Sequence, residues 1–401
     1  MSRKSATFVV FLLLFSLVMF VFNFDNEVNI YNSTLLGLSY ENGILPRALV
    51  GTAYSFMNHI LPFELLSYNS VLIYTFIITL FFVVFWCLIQ FYFLKKVESD
   101  YTEYVEYVIV FISIFVISTF TAFDNYGRLD VYIVALTVLS TVILISGKCE
   151  WLIIPISVTC ILIHEGYVFM YYNVILVLLL YKILTAYKQK QKKEMRKYAF
   201  IFLFSFVLVC IVFIYYTFIY NGNMAAYENT VNAATALSQN GEYHKEVIRA
   251  EVLGENLFAE EWELYHKGNF VEILIFLVLF LPFLIIQIKF LVSLVKKADD
   301  KIEKLKYLAF ALGSVTTLPL FILKVDYGRW VLAVLVYYCL VLIALIAMGD
   351  KKVGVAWKEE VEDIRQKTSY GKLLLVYAML FVPLKDFNIC WVTRKILNLM
   401  M

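Results

Sequence analysis

The sequence is poor in charge. Of its 401 residues only 16% are Asp, Glu, Lys or Arg, against about 25% in an ordinary soluble domain. So few charges cannot cover the surface of a soluble chain of this length, which excludes a soluble enzyme and a disordered chain alike. Cysteine is scarce as well. The six thiols (Cys87, Cys149, Cys160, Cys210, Cys339 and Cys390) form no C-x-x-C pair and lie in or at the ends of apolar runs, so neither a secreted disulfide scaffold nor a zinc site is indicated. The chain also lacks an H-E-x-x-H motif, a Walker loop and the Rossmann glycine pattern.

What remains is apolar: 62% of the residues are hydrophobic and 17% aromatic. Runs of about 20 apolar residues, the length that crosses a bilayer core, recur from one end to the other. They predict an all-α polytopic membrane protein, a single membrane domain over 1–401, with about eleven transmembrane helices: 6–24, 71–94, 105–123, 130–147, 151–164, 167–186, 199–220, 270–294, 307–323, 331–348 and 373–386. Pro155 and Pro383 interrupt the short fifth and eleventh runs, which are expected to be tilted, broken or re-entrant. The first run follows Ser2-Arg3-Lys4 as a signal peptide's would. It is longer than a signal's apolar core and no A-x-A site follows, so it is read as a retained first span.

Lys and Arg set the orientation. With the N-terminus inside, inside segments carry 23 basic residues and outside segments 10, the bias expected of cytoplasmic loops. The basic stretch 188–197 is read as an anchor beside anionic headgroups, with no nucleic acid as partner. All four histidines (His59, His164, His244 and His266) then fall outside or at the outer membrane edge. So do two hydrophilic loops: 25–70, with an interfacial helix, and 221–269, an expected lid or acceptor-binding element.

Four outer segments stand out. Glu41 to Gly51 frames Arg47 with glycines and a proline, and the tight turn 123–130 holds Asp124, Arg128 and Asp130. His164-Glu165-Gly166 sits between two apolar runs, while 325–330 holds Asp326, Tyr327 and Arg329. The second and fourth resemble each other, D-N-Y-G-R and D-Y-G-R. A charge near the apolar core costs at least ~2.5–3.5 kcal/mol unless paired or hydrated. Arg128 and Arg329 each follow an aspartate (Asp124, Asp326), so each turn is either stapled by its own ion pair or aims its guanidinium into a hydrated cavity to bind phosphate. Three arginines on three outer turns suit a diphosphate better than a single ion. Glu165 suits a general base, its pKa expected to rise with burial, unless the His-Glu pair merely caps two half-helices. One His and one Glu fall short of a metal site. Asp25 and Glu27 either end the first helix or supply an acid of their own.

The eleven spans, the large outer loop, the outer arginines, and the segments P-R-A-L-V-G, H-E-G and D-Y-G-R-W together resemble bacterial O-antigen or capsule repeat-unit polymerases (Wzy-type). The resemblance implies a glycosyltransferase type C-like fold in the inner membrane, working on undecaprenyl-diphosphate-linked oligosaccharide at the outer face. Such enzymes move a growing glycan from one lipid diphosphate onto a new lipid-linked repeat unit, without a nucleotide sugar or other cofactor. A flippase and a chain-length regulator are implied as partners. Carried over by position, Arg47, Arg128 and Arg329 would hold the diphosphate and Glu165 would be the base, with His164 or Asp326 as alternatives. Asp124, Asp130 and Tyr327 would support them, with no metal. Two other readings stay open: a type C glycosyltransferase with a polyprenyl-phosphate sugar donor, for which Asp25 or Glu27 would be essential, and a flippase of lipid-linked oligosaccharide.

Overall fold

The structure, a computed structural model, describes residues 10, 14, 17, 27–60, 67–121, 125–257, 259–260, 270–323 and 327–367, with the side chains of 270–279, 323, 327 and 367 left aside. The expected span 6–24 apart from residues 10, 14 and 17, the expected span 373–386, Asp25, Asp124, Asp326, His266 and the side chain of Tyr327 lie outside the described residues.

The described chain is helical, with no strand among the described residues. The helices are α1 (Ile30–Leu36), α2 (Ala48–Ile60), α3 (Tyr68–Lys96), α4 (Ser99–Thr121), α5 (Asp130–Ser146), α6 (Ile153–Ile163), α7 (Tyr167–Met170) and α8 (Tyr172–Lys188). They continue as α9 (Lys192–Ile214), α10 (Tyr227–Ala236), α11 (Lys245–Glu251), α12 (Phe270–Lys296), α13 (Lys301–Leu312), α14 (Leu318–Leu323), α15 (Tyr327–Ala347) and α16 (Lys351–Lys367). Among the described residues, five helical stretches are long and apolar enough to cross a membrane: Tyr68–Lys96, Ser99–Thr121, Lys192–Ile219, Lys301–Ile322 and Gly328–Ala347. Helices are what such runs must form, because a bilayer core offers no partner to an unpaired backbone group.

Burial sorts the long helices into a centre and a rim. The most apolar window of α15 is 83% buried and that of α4 is 78%. α15 packs against α3, α4, α5, α8 and α12, which makes it the hub of the bundle. The same window in α3 is 33% buried and in the α9 stretch 22%. Their outward faces (Ile73, Ile77 and Phe81; Leu203, Phe204 and Ile211) are exposed apolar surface, suited to lipid. Inside, Thr119, Thr121, Thr137 and Thr141 return their hydroxyls to the carbonyl four residues back, which satisfies them without a helix–helix partner.

The two ends of the bundle differ. One end carries Lys188 against Asp300 and Glu303 and Lys352 against Glu303. There Asp350 caps α16 while accepting from Tyr181 and Tyr307. The opposite end carries α1, α2, α10 and α11, and the first residues of α5, α7 and α15. α10 and α11 rest on α1. A Cβ added to Gly37 would lie 2.9 Å from Ala234 Cα, so the contact is backbone on backbone.

Candidate functional site

Helix α6 stops at His164, whose backbone is extended (φ −159°, ψ 121°). The next peptide turns back: Gly166 N–H donates to His164 Nδ1 at 2.9 Å, and a Cβ on Gly166 would meet the ring at 3.0 Å. This tight turn points Glu165 toward the segment between α1 and α2. There Arg47, just after Pro46 and just before α2, takes a left-handed backbone (φ 55°), rare for a residue with a side chain and concentrated at functional sites. Arg47 Nε donates to Glu165 Oε2 at 2.9 Å and its Nη2 to Oε1, a two-pronged pair. Its Nη1 donates to the Tyr31 hydroxyl at 3.1 Å, and Glu251 Oε1 stands 3.3 Å from Nε.

A second pair adjoins the first. Arg329, at the start of α15, places Nη2 at 3.0 and 2.8 Å from the two oxygens of Asp130, the first residue of α5. Both are buried, Arg329 6% and Asp130 3% exposed. The same Nη2 is 3.2 Å from His164 Nε2, and His164 Nδ1 is 3.5 Å from Glu165 Oε2. His164 is thus a link between the two pairs. Arg128 joins from the other side: its Cζ lies 5.4 Å from the centre of the Tyr31 ring, a cation–π distance. It also borders a groove between α3 and α5 lined by Tyr74, Thr75, Ile78 and Tyr132.

Arg47, Arg128 and Arg329 therefore belong to one cluster with Glu165, His164 and Asp130, although they stand 81 and 201 residues apart in sequence (47 to 128, 128 to 329). Arg329 pairs with Asp130 across two helices. The partners expected from local sequence, Asp326 for Arg329 and Asp124 for Arg128, lie outside the described residues. Glu27 is exposed and accepts from Gln239 Nε2 at 3.5 Å.

Two members were not singled out from sequence: Tyr31, which carries Arg47 on its hydroxyl and Arg128 on its face, and Glu251, the last residue of α11. Tyr31 follows Asn29, whose side chain caps α1, and that cap was the local signal available. Glu251 was one acid among many in the 221–269 loop.

The electrostatics correct one expectation. Burial alone pushes a carboxyl up, and Glu165 was expected to follow. Arg47 outweighs burial here and holds the Glu165 carboxyl well below the usual carboxylate range. Glu165 is thus a carboxylate committed to an ion pair. In this arrangement Arg47 faces the carboxylates of Glu165 and Glu251, Arg329 faces that of Asp130, and Arg128 lies over the Tyr31 ring. An anion reaches Arg47 or Arg329 by taking the place of a carboxylate. Among the described residues no group of three or more His, Cys, Asp or Glu is arranged to hold a metal ion.

No protein-family model, no curated protein and no solved structure matches this chain.

Proposed function

We propose that this protein is a membrane-embedded glycosyltransferase of type C-like fold, with about eleven spans, that polymerises undecaprenyl-diphosphate-linked oligosaccharide repeat units into O-antigen or capsular polysaccharide. The reading places its active face on the extracytoplasmic side of a bacterial inner membrane. The observation that carries it is the gathering of Arg47, Arg128 and Arg329 from three separate turns around Glu165 and Tyr31, at the less basic end of an apolar helical bundle. Separate guanidiniums, each a planar donor fork, suit the spread oxygens of a diphosphate.

The chemistry follows from the exchange that the neutral cluster demands. The diphosphate of the growing lipid-linked glycan takes Arg47 and releases Glu165. Freed from its cation, the Glu165 carboxyl rises toward the working range of a base. It accepts the proton of a hydroxyl on the incoming repeat unit, and the hydroxyl oxygen bonds to the anomeric carbon of the donor. The bond from that carbon to the diphosphate breaks, and the lipid diphosphate leaves with its charge held by the arginines. His164, sandwiched between Gly166 N–H and Arg329, orients the two pairs and takes no proton in this scheme.

The test is the surface glycan of a deletion strain, displayed as a chain-length ladder. A single repeat unit on the acceptor with the ladder gone is the expected result. Loss of that single unit too would replace the polymerase with an upstream sugar-adding transferase or a flippase, and an unchanged ladder would refute the reading.

A further inference from the structure

We infer that Glu251 is a positioning residue that occupies an anion seat on Arg47 and yields it to a diphosphate-bearing ligand. The inference rests on the reading above and names the group that regulates its site.

One guanidinium does not need two carboxylates. Glu165 already engages Arg47 with both oxygens, yet Glu251 stands 3.3 Å from the same Nε with only 7% of its surface exposed. Bringing a second carboxylate out of water beside the first adds like-charge repulsion and a desolvation cost. On a solvated loop helix such as α11 that carboxylate had cheaper positions. Its neighbours on the same segment take them: Glu246, Glu255 and Glu260 are exposed and paired with His244 or Arg249. Glu251 therefore holds a negative oxygen where the cluster accepts one.

The segment that carries Glu251 is fastened by other contacts. His244 N–H donates to Thr34 Oγ1 at 2.9 Å. The Val252 carbonyl accepts from Asn223 N–H at 2.7 Å and from the Tyr220 hydroxyl at 2.9 Å. The Glu251 side chain can leave Arg47 while α11 stays docked on α1. The incoming group must be anionic and offer more than one oxygen cluster, because it replaces a carboxylate on Arg47 and still has Arg329 or Arg128 within the same site. A diphosphate meets both demands.

The experiment compares the full-length protein in nanodiscs with its Glu251→Gln variant, using farnesyl diphosphate as the probe and inorganic pyrophosphate in parallel. Glutamine keeps the shape and removes the competing charge, so farnesyl diphosphate is expected to bind about tenfold more tightly, the scale of one partly screened like-charge contact. Glu251→Asp, which withdraws the carboxylate by one methylene, shifts binding the same way by less and keeps the test alive should the glutamine variant fail to fold. Glu246→Gln on the exposed face of α11 leaves binding unchanged. In turnover assays the tighter binding reads out as a lower KM for the diphosphate donor. A merely structural Glu251 gives the opposite sign: weaker or unchanged binding in Glu251→Gln overturns the inference. A gain for both probes assigns recognition to the diphosphate itself, and a gain for farnesyl diphosphate alone assigns it to a lipid-borne headgroup; either upholds the exchange. No binding of either probe to any of these proteins overturns it. Tighter binding in Glu251→Gln together with an unchanged glycan ladder in the deletion strain leaves the anion seat standing and removes only the polymerase.

Discussion

Replacing Arg329 with methionine strips the Asp130 carboxylate of the guanidinium nitrogen that lies 2.8 and 3.0 Å from its two oxygens, in a place where Asp130 is 3% exposed. Removing one member of a buried pair costs about 3–5 kcal/mol, because the survivor is left charged and dry. Arg128 is within electrostatic reach of Asp130 and offsets part of this, which puts the expected loss near the lower figure. His164 Nε2, 3.2 Å from the same nitrogen, loses a contact worth ~1 kcal/mol. Adding Asp130→Leu removes the stranded charge, and replacing such a pair by apolar groups of similar volume is often neutral or better. The double variant is therefore expected to regain about 3 kcal/mol over the Arg329→Met single. Unfolding in mixed detergent micelles, followed by tryptophan fluorescence, measures this cycle. The glycan ladder measures what the pair does beyond folding: the double variant folds and makes no ladder, because the Arg329 guanidinium is missing from the three that hold the leaving diphosphate. A single variant within 1 kcal/mol of wild type would refute the burial argument. A ladder restored in the double variant would refute the anion role and leave Arg329 as a staple between α5 and α15.

Other perturbations read the remaining members. Arg47→Lys keeps the charge but loses the two-pronged geometry toward Glu165, so the ladder collapses toward a single repeat while the protein still inserts and folds on size-exclusion chromatography. Glu165→Gln abolishes polymerisation in extracted glycan, and a normal ladder would make Glu165 a structural group. The lowered carboxyl of Glu165 also fixes a pH dependence: its ion pair contributes fully at neutral pH and fades as pH falls below about 4, the range of an unfolded glutamate, toward its lower folded value. The detergent-unfolding midpoint of wild type should therefore fall more steeply below pH 4 than that of Glu165→Gln. Gly37→Ala drives a methyl into the backbone of Ala234 at a cost of about 1–3 kcal/mol, so amide exchange in α10 speeds up while exchange in α15 does not change.

Much of the bundle is legible in the sequence, because lipid leaves an apolar run of 20 residues little choice but a helix. The helices α3, α4, α5, α8, α9, α12 and α15 fall on runs identified from hydropathy alone, whereas Pro155 makes no break: it lies in the first turn of α6, where proline is tolerated, and that helix runs on to Ile163. The site was half legible. Each expensive charge (Arg47, Arg128, Glu165, Arg329) stands out because it interrupts apolar or glycine-framed sequence. Which of them pair is not legible, since pairing is set by packing: Arg47 reaches Glu165 across 118 residues and Arg329 reaches Asp130 across 199. Glu251 and Tyr31 were hidden for the same reason, being ordinary residues of polar loops until α1 and α11 bring them to Arg47. The direction of the Glu165 shift was misjudged because burial was visible in the sequence and its counter-ion was not.

Matched charge also bears on how such a site would choose its ligand. A cluster of three arginines with no carboxylates would attract any anion by field alone. Here an oxygen group that enters at Arg47 or Arg329 must break an existing pair, and a monoester reaching either one gains one new pair for the one it breaks. A diphosphate touches two turns once it has displaced a carboxylate from the first, so its second contact forms at high effective concentration and offsets the exchange. In the proposed reaction this has a catalytic consequence. Glu165 is released from Arg47 by the same event that seats the donor, so the base becomes competent when the leaving group is held and stays tied up otherwise. Arg47→Ala would then free the base without the donor and still abolish polymerisation, a loss that extra donor does not rescue. Recovery of the ladder in Arg47→Ala cells overproducing the lipid-linked repeat unit would show that the base needs no release and that exchange is not the trigger.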